Sequence, residues 1–351
     1  MSAIESRRPA SSAGRALVSA VLVVAMGLFG FGVYHAAGLL KASKIRIQRP
    51  TDTSGPALPG TMYLVQGGAI YRFAHGGFGQ ITSENGWMQP SLSPDGSQLV
   101  VVKRSLNRSD LYVLRASGRV QLQLTRNNSP SVETNHWAFY PRFSPDASAV
   151  YFSYDPKDPY NSYRVDLAIF AVASDTQSAR SVQWTDPNQY TGGDVQPIPL
   201  LKGGLLYTKY SIDDQSKVHS QVWLQARPGS LGLALTKPED DCSQPAISKD
   251  GTLIAMVCRH GGLQSANLEV ATFNLAARTM GAPALLVHSQ LVASPAFSPD
   301  GKLLAYLAPT EDGGPFQLWT VSSDAASPSS TQQITRNLDL DPTSAPAWAA
   351  G

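Results

Sequence analysis

The feature that most constrains the fold is a hydrophobic hairpin that occurs five times along the chain. The copies begin at Gln89, Tyr140, Gln196, Gln244 and Ser294 and read QPSLSPDGSQLVVV, YPRFSPDASAVYFS, QPIPLLKGGLLYTK, QPAISKDGTLIAMV and SPAFSPDGKLLAYL. A sixth start, APAW, lies at Ala345, and the aligned prolines are 51, 56, 48, 50 and 51 residues apart: Pro90, Pro141, Pro197, Pro245, Pro295 and Pro346. Self-similarity at a period of this length predicts a repeat architecture.

The turn inside each copy has a local chemical cause. In Ser-Pro-Asp-Gly the proline presets φ at the second turn position, and the glycine accepts a left-handed conformation at the end. The third copy, at residues 200–203, keeps only the glycine, and the second has Ala147 in its place. The pattern predicts two antiparallel strands joined by a tight turn in every unit.

Each unit continues into two further strands, for example at residues 110–125, and four strands in about 50 residues is one blade of a β-propeller. The C-terminus supplies only the first strand of a sixth blade, whereas residues 62–66, 69–74 and 78–82 supply three strands at the start. We therefore predict an all-β, six-bladed propeller over residues 61–351. The N- and C-terminal strands would share one blade, which leaves no open blade edge.

The five hairpins resemble those of the TolB-like β-propeller family, whose signature is a P-x-[FW]-S-P-D-G turn followed by an apolar strand. The resemblance covers residues 61–351 and depends on registered repetition, because a single SPDG turn is common. It implies a six-bladed ring of a kind found in bacterial envelopes and used for protein binding. It names no partner.

Residues 16–40 predict a transmembrane helix, because this stretch contains no ionisable group except His35. A bilayer core needs about 20 apolar residues, so the stretch is long enough to span with some tilt. A cleaved signal peptide is the alternative, but its apolar region would be shorter and would end in small residues. Residues 1–15 would then form a short cytoplasmic tail, and residues 41–60 a linker rich in Pro, Ser and Thr.

The charge is divided unevenly along the chain. Residues 1–49 carry seven Lys/Arg and one Glu, a net charge of +6, whereas the remaining 302 residues carry 21 basic and 25 acidic groups, a net charge of −4. No basic face is left in the propeller, so no nucleic-acid partner is predicted. The flanking charges slightly favour the wrong side for export, but long domains translocate largely regardless of them.

No motif for catalysis is found in a suitable context, whether of a serine hydrolase, a nucleotide-binding loop or a zinc protease. The six histidines are scattered without metal-ligand spacing. The sequence therefore predicts a protein that is not an enzyme, with no catalytic residue, no cofactor and no metal site.

The two cysteines form a candidate disulfide. If Ser248 pairs with Thr252 across the fourth hairpin, Cys242 and Cys258 lie opposite each other on adjacent strands, close enough to bond. Two buried thiols are the alternative. A disulfide would suit an exported domain, and with the family resemblance it favours a propeller on the extracytoplasmic, periplasmic side of a bacterial cytoplasmic membrane.

Aromatic side chains are concentrated in the long loops of residues 126–220, which would open on one face of the ring. We predict protein binding there, by these residues: Trp137, Tyr140, Tyr160, Tyr163, Tyr190 and Tyr210. The alternative is that these rings simply pack the loops together. The predicted function is a membrane-anchored protein-binding scaffold, or an accessory subunit of an integral membrane or envelope complex.

A sensor of a small ligand or a glycan is the alternative function. Such a protein would use the central channel, and the residues before the aligned prolines would line it: Gln89, Tyr140, Gln196, Gln244 and Ser294. The amides of the three glutamines would contact the ligand through hydrogen bonds.

Overall fold

The computed structural model describes residues 58–351 except 83–85, 158–159, 162, 261–264, 290, 327–329 and 351. The predicted tail, the predicted transmembrane helix and most of the predicted linker lie outside these residues. Within the described part the secondary structure is β-strand with two short 3₁₀ turns, Val132–Thr134 and Pro238–Asp240. No helix there is long and apolar enough to cross a membrane.

The strands form six sheets. The chain opens with β1 (Thr61–Gln66), β2 (Ala69–Ala74) and β3 (Gly77–Gln80). Blade 1 contains β4 (Trp87–Leu92), β5 (Gln98–Arg104), β6 (Ser109–Arg115) and β7 (Val120–Gln123). Blade 2 contains β8 (Ala138–Phe143), β9 (Ala149–Tyr154), β10 (Ala168–Ala173) and β11 (Val182–Gln183). Blade 3 contains β12 (Asp194–Pro199), β13 (Leu205–Ile212), β14 (Val218–Gln225) and β15 (Leu233–Ala234).

Blade 4 contains β16 (Cys242–Ile247), β17 (Leu253–Cys258), β18 (Ala266–Asn274), β19 (Thr279–Met280) and β20 (Ala284–Ser289). Blade 5 contains β21 (Ala293–Phe297), β22 (Leu303–Pro309), β23 (Phe316–Ser322) and β24 (Gln332–Gln333). The chain ends with β25 (Ala347–Ala349). Blade 4 departs from the four-strand prediction because β19 and β20 pair with different halves of the long strand β18.

The sixth blade is shared by the two ends of the propeller, as the sequence predicted. Its strand order is β25-β1-β2-β3, and β25 pairs antiparallel with β1, Trp348 opposite Met62. The Trp348 indole also donates to the Pro59 carbonyl at 2.7 Å. The prediction of an all-β six-bladed propeller is confirmed.

The aspartates of the repeated turns are structural. In blade 1, the Ser93 hydroxyl donates to Asp95 Oδ1 at 2.6 Å, and the Ser97 N–H donates to the same oxygen at 3.1 Å. Ser144–Asp146–Ser148 repeats the arrangement. Hydrogen bonds from the flanking serines lower the pKa of Asp95 to about 2. Each turn that contains an aspartate is thus held by a carboxylate at neutral pH.

A threonine at the end of each of five blades fastens the outer edge of the sheet. Its hydroxyl accepts a hydrogen bond of 2.9–3.0 Å from a backbone N–H of the third strand: Thr82 from Ile70, Thr125 from Leu111, Thr185 from Ile169, Thr236 from Val222 and Thr335 from Leu318. In the sequence, each of these threonines directly follows an apolar residue: Ile81, Leu124, Trp184, Leu235 or Ile334. The short outer strand does not reach this backbone N–H, so the threonine hydroxyl takes the place of the carbonyl that would otherwise accept its hydrogen bond.

The hydrophobic core lies between neighbouring blades. One cluster joins blades 1 and 2 through Val100, Val102, Phe143 and Phe152. Others join blades 4 and 5, and blade 5 to the shared blade. Burying an aliphatic side chain contributes about 1.5–3 kcal/mol, so each blade is stabilised mainly by its two neighbours.

Candidate functional site

The ring has two ends. The loop face carries the connections between second and third strands and those between blades. The turn face carries the turns between first and second strands. The first strand of each blade lines the central channel that runs between these faces, because it lies at the free inner edge of its sheet.

Five of the channel strands contain a β-bulge at the residue before the aligned proline. The bulged residues have φ between 51° and 58°: Gln89, Tyr140, Gln196, Gln244 and Ser294. A left-handed φ costs a residue other than glycine about 1–2 kcal/mol. Contacts elsewhere must therefore hold this conformation.

Hydrogen bonds between adjacent blades provide those contacts. Each glutamine side-chain oxygen accepts a hydrogen bond from the backbone N–H of the bulged residue in the next blade. The Tyr140 N–H donates to Gln89 at 2.7 Å, the Gln244 N–H to Gln196 at 3.1 Å and the Ser294 N–H to Gln244 at 2.6 Å. The Gln89 N–H donates to Ser344 Oγ of the chain's C-terminal segment at 2.9 Å. The predicted channel residues thus line the channel, but their side-chain oxygens join blades.

Three of the six predicted protein-binding residues are half-buried near the channel. Tyr140 takes the glutamine position at the junction of blades 2 and 3, and its pKa is raised to about 12 by burial and by nearby Tyr210 and Asp341. Trp137 stacks on Phe139 with ring centroids 5.8 Å apart. For Trp137, Tyr140 and Tyr210, the structure therefore favours the packing alternative.

The other three aromatic residues are exposed on the loop face. Tyr160 and Tyr163 belong to the connection between β9 and β10 and are 97% and 80% exposed, and Tyr190, between β11 and β12, is 67% exposed. Leu106, on the same face in blade 1, is 98% exposed. Sequence reasoning missed Leu106, because one leucine in a short polar connection gives no repeated signal.

One carboxylate ties the two tyrosine loops together. Backbone N–H groups of Tyr190, Thr191 and Gly192 donate to buried Asp166 at 2.9, 3.0 and 3.0 Å. Arg164 forms an ion pair with Asp166 at 2.9 Å, and its guanidinium lies 5.1 Å from the Tyr190 ring centre. The loop backbone near Tyr190 is therefore fixed before any partner binds.

Cys242 and Cys258 face each other on β16 and β17, and their sulfurs form a disulfide. The register near the turn differs from the prediction, because the Ser248 N–H donates to the Leu253 carbonyl rather than pairing Ser248 with Thr252. The bulge of β16 takes up the extra residue, so the cysteines still meet.

One group of potential metal ligands lies next to this disulfide in the part of the chain that the structure describes: Cys258, His260 and Glu269. The Cys258 sulfur is already bonded to Cys242. His260 Nε2 lies 2.5 Å from Glu269 Oε1, and that hydrogen bond raises the pKa of the imidazole. The arrangement is an ion pair beside a disulfide.

Sequence reasoning also missed Arg142, which lies in the channel. The signal was available in the repeat alignment. The residue after the aligned proline is Ser91, Arg142, Ile198, Ala246, Ala296 or Ala347, so only one copy has a charge there.

No protein-family model matches the sequence, and no curated protein matches it. Solved structures match the fold. TolB from Acinetobacter baumannii has a TM-score of 0.62 at 18% identity, over 86% of this chain and 68% of that one. A nidogen/laminin complex has a TM-score of 0.57 at 11% identity, over 82% and 97%.

An enzyme shares the architecture as well. A puromycin hydrolase S511A mutant complexed with PGG has a TM-score of 0.51 at 14% identity, over 76% of this chain and 42% of that one. The structure is therefore a six-bladed β-propeller whose fold is similar to that of TolB. The fold alone does not decide between a binding protein and an enzyme.

Proposed function

We propose that this chain is a non-enzymatic scaffold that binds a protein partner through the loop face of its propeller. Residues 16–40 anchor it in a bacterial cytoplasmic membrane, and the propeller lies on the extracytoplasmic side. The partner is an integral membrane or envelope complex. One observation carries the proposal: Tyr160, Tyr163 and Tyr190 are exposed together on two loops that Asp166 connects.

Tyrosine is the residue type that suits such a surface. It supplies a large amphipathic contact area, and tyrosines and tryptophans dominate the energetics of protein interfaces. The bonds to Asp166 lower the entropy that the Tyr190 loop loses on binding, since its backbone is already ordered. An exposed aromatic surface with one loop already ordered is therefore better suited to association than to packing.

The histidine contacts give no support for a nucleophile–base pair in the described residues. In the part of the chain that the structure describes, the bonded histidine rings pair with carboxylate, amide or backbone oxygens: His136, His219, His260 and His288. A hydroxyl or thiol nucleophile would need a base within hydrogen-bond reach, and none of these four histidine hydrogen bonds has a hydroxyl or thiol as its partner.

Two features support the location. The apolar stretch of residues 16–40 has the length of a membrane span. The Cys242–Cys258 disulfide is the kind of bond that persists in an oxidising compartment. Among the structural neighbours, TolB is a bacterial protein and the nidogen/laminin structure is a protein complex.

Replacing Tyr160, Tyr163 and Tyr190 together by Ala is expected to weaken partner binding at least about 100-fold, because interface tyrosines often cost about 2 kcal/mol each on truncation. The tagged full chain is solubilised gently from membranes, and co-purifying proteins are quantified by mass spectrometry. The melting temperature should hardly change, since all three rings are exposed.

The matched control replaces three exposed leucines of the opposite face of blade 3 by Ala: Leu201, Leu231 and Leu233. This variant should retain every partner. The proposal fails if the tyrosine variant, still folded, retains every protein that the wild-type chain recovers.

A further inference from the structure

Arg142 is the one charged residue among six equivalent channel positions. The other copies of the repeat place a small or apolar side chain there: Ser91, Ile198, Ala246, Ala296 and Ala347. In an ordinary repeat this position is filled by packing alone. An arginine at a single copy breaks the pattern that the ring otherwise keeps.

The guanidinium of Arg142 has no hydrogen-bond or ion-pair partner among the residues that the structure describes. Burial lowers its pKa, and no neighbouring group offsets that effect. The channel walls around it contain no Asp or Glu. Arg142 is half-buried in the channel wall, so its guanidinium, which has no partner in the described part of the chain, faces the space of the channel.

The channel has room for a small molecule beside Arg142 on one side only. The part towards the turn face encloses about 220 Å³ and is walled by residues that include Ile198, Phe297 and Trp348. The part towards the loop face encloses about 40 Å³, because Gln89, Gln196, Gln244 and Tyr140 narrow the channel there. A ligand of a few heavy atoms therefore reaches the guanidinium from the turn face.

We propose that Arg142 forms a binding site for a small oxyanion in the channel, entered from the turn face. A guanidinium presents two parallel N–H donors that match the paired oxygens of a carboxylate or a phosphate. Among the residues that wall this part of the channel, Ile198, Phe297 and Trp348 offer contacts to a short hydrocarbon body. This site is independent of the proposed partner surface, because it opens on the opposite end of the ring.

The test measures anion binding to the purified full chain in a non-ionic detergent. Butyrate and inorganic phosphate are titrated at pH 7 and constant ionic strength, with sodium chloride as the balancing salt. Calorimetry should show saturable binding. The melting temperature should rise by about 5 °C at an anion concentration 100-fold above Kd. Tighter binding of butyrate identifies a carboxylate ligand, and tighter binding of phosphate identifies a phosphate ligand.

Three variants make the test specific. In Arg142→Met the melting temperature should no longer rise when anion is added. Without anion this variant should melt no lower than wild type, because an unpaired charge has been removed. Arg142→Lys keeps the charge but not the paired donors, so its affinity should fall at least about 10-fold. Arg180→Met, at an exposed arginine between β10 and β11, should bind like wild type.

Either of two results overturns the proposal. The first is an anion-dependent rise of equal size in Arg142→Met and wild type. The second is a wild-type chain that shows no saturable binding of either anion up to about 50 mM, since two hydrogen bonds to a charged group, worth about 1.5–3 kcal/mol each, correspond to a Kd of about 1 mM. If Arg142→Met does not fold, an unchanged affinity in Arg142→Lys overturns it equally.

Discussion

A chain that ends at Arg336 is expected to lose the cooperative unfolding of the propeller. The deletion removes β25, which pairs with β1 at the point of closure. It also removes Leu338 and Leu340, both buried between blade 5 and the shared blade. Truncating a buried leucine costs about 2–5 kcal/mol, and a domain has about 5–15 kcal/mol in total. The remaining chain would expose the edge of β1 and aggregate.

Circular dichroism during thermal melting and size-exclusion chromatography measure this loss. A chain that ends at Ala349 keeps all of β25 and is the control, which should melt like wild type. A truncated chain that stays monomeric and melts at the wild-type temperature would show that the ring does not depend on the shared blade.

Lys209→Met is expected to destabilise the propeller by about 2 kcal/mol at pH 7. The Lys209 ammonium lies 3.1 Å from Asp194, whose side chain is fully buried, and 3.0 Å from the Asp186 carbonyl. Removing one partner of a buried ion pair leaves an uncompensated charge. Lys217→Met, at an exposed lysine before β14, should change stability by less than about 0.5 kcal/mol.

The pH dependence identifies the cause. Burial raises the pKa of Asp194 to about 6, against the effect of Lys209. This value lies above the pKa of an aspartate in an unfolded chain, about 3.9. Protonated Asp194 therefore contributes to the free energy of unfolding below about pH 4, and this contribution is lost as pH rises towards 6. Lys209→Met raises the pKa further, so its cost should be about 1 kcal/mol smaller at pH 5 than at pH 7.

Urea unfolding at pH 7 and pH 5 measures both values. Adding Asp194→Asn to Lys209→Met should recover most of the loss at pH 7, because the buried charge is removed. An equal cost of Lys209→Met at the two pH values, with no recovery in the double variant, would contradict the ion-pair explanation.

The fold was predictable because its signals are local and repeated. Proline after the bulged residue and Ser-Pro-Asp-Gly in the turn act over a few residues, as Asp95 shows. The threonine at the outer strand acts within one blade, as Thr125 shows. The shared blade followed from counting strands at the two ends. The disulfide pairing was predicted despite a one-residue error in the turn, because the bulge in β16 compensated for it.

The candidate site was less predictable because it depends on exposure and on contacts between blades. Trp137 and Tyr163 are both loop aromatics in the sequence, but only Tyr163 is exposed in the structure. Gln89 was predicted to line the channel, and it does, yet its side-chain oxygen bonds to the next blade about 50 residues away. No local pattern distinguishes an amide that contacts a ligand from one that joins two blades.

Site-specific photo-cross-linking in living cells tests the partner surface most directly. A photoreactive amino acid is placed at Tyr163 on the loop face, or at Leu231, which is 99% exposed in the β14–β15 connection on the opposite face. Adducts are then identified by mass spectrometry. Binding through the loop face predicts one dominant protein adduct from position 163 and none from position 231. Adducts of equal yield from both positions, or from position 231 alone, would contradict binding through the loop face.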